Sequence, residues 1–239
     1  MQPPEPPRVE RPVMHQQWRW LSFLHWRYPV DAVQALLPER LRVEAYDGSA
    51  WVGLVPFLMA GVRAPAVPPL PWLSRFPETN VRTYVRGPDG QTGIWFFSLD
   101  AARLPAVLTG RATYGLPYCW SSMSVRWSDG ELRYRARRRW PGPDGAGCHA
   151  RVRFGPDRPA ADLTTLDHFL TARYRLYSVV RGRLVAAVAE HPPWQLRRVE
   201  VLELQQDLLQ AAGLPAPDQL PIGHASDGTR VRIGAWRAV

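Results

Sequence analysis

The segment ELRYRARRRW at positions 131–140 alternates Arg with Leu, Tyr and Ala over most of its length, and HARVRF at 149–154 does the same with Ala, Val and Phe. A period of two is the signature of a strand, because successive side chains point to opposite faces. The stretch between them, PGPDGAGC, is too rich in Pro and Gly to continue either strand and reads as a turn. Another alternating run, SMSVRW, precedes them. Three such runs in succession constrain this part of the chain to antiparallel pairing, the arrangement that short connections permit.

The rest of the chain extends the pattern. An aromatic-rich strand is expected over Gln17–Phe23, followed by a short helix in which Val33, Leu36 and Leu37 form a stripe ending at Pro38. A turn at Asp47-Gly48 leads into AWVGLVPFLMAGV, apolar enough for a buried strand. RAPAVPPLPWLSRFP is too Pro-dense for regular structure and predicts a long loop, a length often functional in compact proteins. FPETNVRTYV and IWFFSLDAARL then flank RGPDGQTG as a hairpin. TTLDHFLTARYRLYS is the best helix, with Thr164 and Asp167 at capping-box spacing and Leu166, Phe169, Leu170 and Tyr177 on one side. A strand at RRVEVLEL, a short helix at QQDLLQAAG stopped by Gly213 and a last strand near TRVRIGAW complete the tail. The fold class expected is α+β, predominantly antiparallel β, as one domain over 14–239 behind a flexible Pro-rich lead-in at 1–13.

Composition narrows the functional classes. With 46% hydrophobic residues, including 11 Trp, 8 Tyr and 7 Phe, the 239 residues suit a sizeable core and not disorder. MQPPEPPRVERPV lacks the apolar stretch of a signal peptide, and the longest apolar run, 50–62, is broken by Gly and Pro and too short for a membrane helix. A cytoplasmic protein with no membrane partner is expected. Cys119 and Cys148 are expected as free thiols. The six histidines show no paired metal-ligand spacing, and there is neither a dinucleotide fingerprint nor a phosphate loop, so no metal and no cofactor is expected. Net charge is +9, yet all 30 basic residues are Arg and none is Lys. Arg alternating with Tyr, Val and Phe could attract nucleic acid, but Arg is spread through the whole sequence and no nucleic-acid motif appears; that partner is disfavoured. Directly opposed arginines across the 131–154 hairpin predict acidic neighbours.

The stretch FPETNVRTYV poses the functional question. Glu78, Asn80, Arg82 and Tyr84 share one strand face, which either meets solvent or lines a chamber. If Arg82 lies opposite Trp95, the same face carries Phe97 and Leu99; a slip by one residue puts Phe96, Ser98 and Asp100 there instead. TGRATYGLPYCW, with Gly110, Gly115 and Pro117, reads as tight backbone around Arg111 and Tyr118, a turn between two strands.

Taken in order, LLPERL, AWVGLVPF, FPETNVRTYV, WFFSLDA, GRATYGLPY, LDHFLTARYRLY and HPPWQL resemble the YqjF-like family, domain of unknown function 2071, over nearly the whole chain after the lead-in. That family is in turn similar to the acetoacetate decarboxylase superfamily. The resemblance implies a sandwich or cone-shaped barrel around a closed, mostly apolar cavity, with a few peripheral helices. It matches Phe76-Pro77-Glu78 to the superfamily's aromatic-x-Glu stretch. It also matches 110–118 to a Gly-Arg-Glu-x-x-Gly-x-Pro-Lys stretch, with Ala112 at the Glu and Tyr118 at the Schiff-base lysine. A chain without lysine cannot form that imine through a side-chain amine.

The resemblance therefore implies a small-molecule ligand handled without a covalent intermediate. Glu78 and Tyr118 are the expected catalytic residues, with Glu78 as acid or base and Tyr118 as hydrogen-bond donor. Arg82, Arg111, Asn80, Trp95, Phe97 and His25 are the expected substrate-binding residues. His191, Arg173 and Tyr174 are further candidates for the pocket wall. Two readings remain: an enzyme acting on a small oxo acid or carbonyl compound, or a non-catalytic binder of an aromatic or acidic metabolite. Homo-oligomer formation is left open.

Overall fold

The computed structural model describes residues 5–239. Strand β1 (Met14–Tyr28) is followed by helix α1 (Val30–Gln34), β2 (Arg42–Val43), β3 (Ala50–Arg63) and the hairpin of β4 (Phe76–Arg86) and β5 (Thr92–Ala101). Helix α2 (Leu104–Tyr114) leads into β6 (Tyr118–Ser128), β7 (Glu131–Trp140) and β8 (Gly147–Asp157). Then come α3 (Thr165–Thr171), β9 (Arg175–Val180), β10 (Arg183–Glu190), β11 (Arg197–Gln206), α4 (Leu208–Ala211), β12 (Ile222–Ile233) and β13 (Arg237–Ala238). As expected, the structure is mostly antiparallel sheet with few helices.

The sheet closes in a ring. From β5 it runs through β6, β7, β8, β11, β12, β1, β3 and β4, and β4 pairs back to β5. It also forks. The free edge of β5 is shared between β6, at Leu99–Ala101, and β9, at Ile94 and Trp95; β12 meets both β11 and β10. Strands β1, β3, β4 and β5 thus form a wall with protein on both sides.

One face of this wall carries Leu24, Trp26, Val52, Leu54 and Val81, which pack with Leu132, Tyr134, Ala150 and Val152 of β7 and β8 in an apolar core. The other face points toward β9, β10 and β12. Burial from both sides accounts for β3, in which every residue from Ala50 to Ala60 is buried and the sequence is almost continuously apolar. Two irregularities let strands change which residues face which side. Trp20 adopts a left-handed φ of 53° where the β1–β3 register shifts, so Trp18 and Leu21 come to the same side. A bulge in β5 has the same effect near the site.

Several expectations need correction. The helix expected over 164–178 ends at Thr171. Its capping box is present, with Thr164 Oγ1 accepting from the Asp167 N–H and Asp167 Oδ2 accepting from the Thr164 N–H, but Tyr177 lies on β9 opposite Ala186. RLYSVV is rich in β-branched and aromatic residues, and pairing with β10 prevails over continuation of the helix. The first part of TGRATYGLPYCW, expected as a turn, is instead the end of α2, which has Pro at its start and Gly115 as its left-handed cap at φ 62°. Of the flexible lead-in, residues 1–4 lie outside the described residues, while Val9 is buried and held: its N–H donates to Glu190 Oε2 at 2.6 Å, and its carbonyl accepts from Arg232.

The acidic neighbours predicted for the Arg-rich hairpin are present. Arg133 faces Arg151 across the ladder, and Glu131 accepts from Arg151 at 3.4 Å and from Arg153 at 2.8 Å; Arg153 also meets Glu200 at 2.9 Å. No helix among the described residues is long and apolar enough to cross a membrane.

Candidate active site

The second face of the wall lines a pocket of about 330 Å³. Glu78, Asn80 and Arg82 reach it because alternate residues of β4 share a face, and all three are at least 94% buried. Around them the lining is chiefly apolar: Val55 and Phe57 from β3, Phe96 and Leu99 from β5, Ile233 from β12 and Trp236 beyond it. The Pro-dense loop at 64–75 covers one side with Val67, Leu70 and Leu73.

Glu78 sits opposite Phe57 on β3, and its Oε2 accepts from the Tyr118 phenol at 3.1 Å. Burial pushes the carboxyl up to about 8; the Tyr118 hydrogen bond pulls down, and the nearby Asp100 carboxylate pushes up again. Glu78 is therefore mostly a neutral acid at pH 7. Burial, with Glu78 beside it, also raises the Tyr118 phenol well above its ordinary value. Tyr118 is the first residue of β6, and α2 passes so close that a Cβ on Gly110 would lie 2.5 Å from its ring. Asp100, on the far face, is held by Arg138 through bonds of 3.0 and 2.7 Å and by Ser121 at 2.6 Å.

Arg82 differs from the other buried cations. Its guanidinium has no carboxylate within 4 Å among the described residues; it meets the Leu170 carbonyl at 3.4 Å and the rings of Phe23 and Tyr84 at 5.4 and 6.0 Å. Arg173, also on the pocket wall, is paired with Glu44. His191 lines the pocket as well, its ring tilted against those of Tyr174 and Trp194 with centroids 4.7 Å away. Its Nδ1 is 2.7 Å from the Pro192 carbonyl oxygen, which can only accept, so Nδ1 carries the proton and Nε2, without a hydrogen-bond partner, keeps its lone pair. Burial lowers the His191 pKa, against the raising effect of nearby carbonyls. Asn80 Oδ1 likewise has no partner.

Four of the expected binding residues lie elsewhere. The β4–β5 register follows neither anticipated alternative throughout: Arg82 pairs with Phe96 but Val81 with Ser98, leaving Phe97 as the extra residue of a bulge. Phe96 and Leu99 consequently face the pocket. Trp95 packs instead around Val85 and Tyr177, and Phe97 joins the core with Val81 and Leu132. Arg111 is exposed on α2, where Nη1 donates to the Tyr118 carbonyl at 2.8 Å and the guanidinium covers the Trp140 ring; the helix turns it outward. His25 is fully buried on the same face of the wall as Arg82 but outside the pocket lining, with Nε2 2.6 Å from the Tyr84 hydroxyl. Trp18 and Trp194 are pocket aromatics that sequence reasoning missed; the β1 irregularity that turns Trp18 inward has no local marker. Among the described residues no three His, Cys, Asp or Glu side chains gather as metal ligands.

Residues 15–230 match the family model for domain of unknown function 2071, described as an uncharacterized conserved protein. The chain belongs to this family. Within it, the uncharacterized protein YqjF of Bacillus subtilis (strain 168) is 35% identical over 212 residues, covering 89% of this chain and 86% of that protein. Among solved structures, the enduracididine biosynthesis enzyme MppR complexed with pyruvate superposes with a TM-score of 0.65 at 15% identity, over 96% of this chain and 91% of that one. An acetoacetate decarboxylase from Legionella pneumophila gives 0.64 at 13%, over 98% and 91%. This member of the family therefore has an acetoacetate decarboxylase-like fold, as the motifs implied.

Proposed function

We propose that this protein is an enzyme of non-covalent carbonyl chemistry, acting on an oxo acid by proton transfer to and from its carbonyl group. The observation that carries this reading is the buried Glu78 carboxyl, hydrogen-bonded to Tyr118 on the wall of a chiefly apolar pocket, where burial pushes its pKa up to about 8. A carboxylic acid kept protonated near pH 7 is a competent proton donor to a carbonyl oxygen. Arg82, buried without a counter-ion, is the group for the substrate carboxylate, since a buried charge is stabilised by an ionic partner. Names among the fold neighbours support an oxo acid: one is bound to pyruvate and another is an acetoacetate decarboxylase.

In the proposed step, Glu78 gives its proton to the carbonyl oxygen while the unprotonated His191 Nε2 takes a proton from the adjacent carbon. The electron pair of the broken C–H bond becomes the C=C bond of an enol. Return of both protons restores the ketone, with no oxidant and no amine required.

The test is deuterium exchange at the carbon beside the carbonyl, followed by NMR in heavy water across a panel of oxo acids. Exchange well above the buffer rate, lost in Glu78→Gln and falling as pH rises through about 8, supports the acid role. Ligands that raise the melting temperature without exchange or turnover would replace it with a non-catalytic binding protein.

A further inference from the structure

We propose that the substrate is an extended, hydrophobic oxo acid, its carboxylate on Arg82 and its carbonyl remote from that carboxylate, at Glu78 and Tyr118. This rests on the acid/base reading above and adds the shape of the molecule. Glu78 and Arg82 are four residues apart on one strand, about 13 Å between Cα atoms. Their side chains meet different groups. Arg82 reaches the Leu170 carbonyl and the rings of Phe23 and Tyr84, whereas Glu78 is bonded to Tyr118 on β6; no ion pair joins the two. In pyruvate or acetoacetate the carbonyl is one or two carbons from the carboxylate, far less than the span between these polar ends.

What lies between them is apolar apart from Asn80. Asn80 is the one β4 residue between Glu78 and Arg82 that lines the pocket, and its cross-strand partners are Val55 and Leu99; Phe57 pairs with Glu78, and Phe96 with Arg82. The volume of about 330 Å³ has room for about ten non-hydrogen atoms at the ~30 Å³ each water occupies in the liquid. A three- or four-carbon oxo acid, with about six or seven non-hydrogen atoms, would leave about a third of that room and its apolar lining unfilled, while a longer skeleton would cover it, each buried methylene contributing about fourfold in affinity.

Calorimetric titration of the intact chain with straight-chain methyl-ketone acids, from pyruvate and acetoacetate to the nine-carbon member, tests the assignment. Affinity is expected to rise about fourfold per added methylene until the pocket is full, then to fall. Arg82→Met should weaken the longer acids by about ten- to hundredfold and leave methyl ketones without a carboxylate unchanged. Val55→Phe, which fills the wall between the polar ends, should move the optimum to a shorter acid. A flat series, or tightest binding by pyruvate or acetoacetate, overturns the assignment. Deuterium exchange on the same compounds separates the two ideas. Long acids that bind along the series without exchanging retain this assignment and sink the chemistry, whereas exchange confined to the two shortest acids retains the chemistry and sinks this assignment.

Discussion

The phenol of Tyr118 donates to Glu78 Oε2 across 3.1 Å, tying the first residue of β6 to the third residue of β4. That bond favours the ionised carboxylate and so opposes the burial that raises its pKa. Removing it in Tyr118→Phe is expected to lift Glu78 from about 8 by roughly one further unit, the equivalent of one hydrogen bond to a charged group. Infrared titration of the carboxyl stretch reads this directly. An unchanged or lowered value would mean that the phenol does not stabilise the carboxylate.

Glu78 also makes stability depend on pH, with a definite sign. Its folded pKa, about 8, lies above the ordinary 4.5, so between these values the folded protein holds a proton that the unfolded chain has released. The favourable contribution is complete below about 4.5 and is lost as pH rises to about 8, by roughly 4–5 kcal/mol in all. Glu78→Gln lacks this group. Urea unfolding of the two proteins at pH 5 and pH 8.5 should show the variant gaining on the wild type at the higher pH. Equal differences at both would place Glu78 in a hydrated site.

How far the site was legible follows from what each residue depends on. Alternation put Glu78, Asn80 and Arg82 on one face, and the structure gives that face to the pocket. Alternation failed for Trp95 and Phe97 because a single bulge, invisible in IWFFSLDA, inverts the order of faces between Phe96 and Leu99. Arg111 was misplaced for a different reason: the glycines around it suggested a turn, whereas Pro105 and Gly115 delimit a helix that carries it outward. The capping box at Thr164 was visible, but the end of α3 was not, because β10 draws 175–180 into the sheet.

The ion pair of Asp100 and Arg138 is buried at both ends, with Asp100 fully enclosed. Arg138→Met leaves the carboxylate unpaired apart from Ser121 and is expected to cost about 3–5 kcal/mol. Adding Asp100→Leu should recover much of that loss, because a buried pair replaced by apolar groups of similar volume is close to neutral. Chemical unfolding of the two variants measures both steps. A double variant no more stable than Arg138→Met alone would show that shape, not charge, governs this contact.

Gly110 offers a way to move Tyr118 without altering its chemistry. A methyl at this position would lie 2.5 and 2.7 Å from two carbons of the Tyr118 ring. The helix cannot slide away freely, since Gly115 at its end is packed against the Val179 carbonyl, which an added Cβ would meet at 2.1 Å. The ring must therefore yield. Ala is otherwise favoured over Gly within a helix by about 1 kcal/mol, which offsets part of the strain and keeps Gly110→Ala folded. The displaced phenol should lose its bond to Glu78, so this variant is expected to raise the carboxyl pKa in the same direction as Tyr118→Phe and to slow exchange at least tenfold. Infrared titration and the exchange assay, run side by side, check the two consequences. A Gly110→Ala protein with a displaced ring and wild-type exchange would remove Tyr118 from the chemistry and leave Glu78 to act alone.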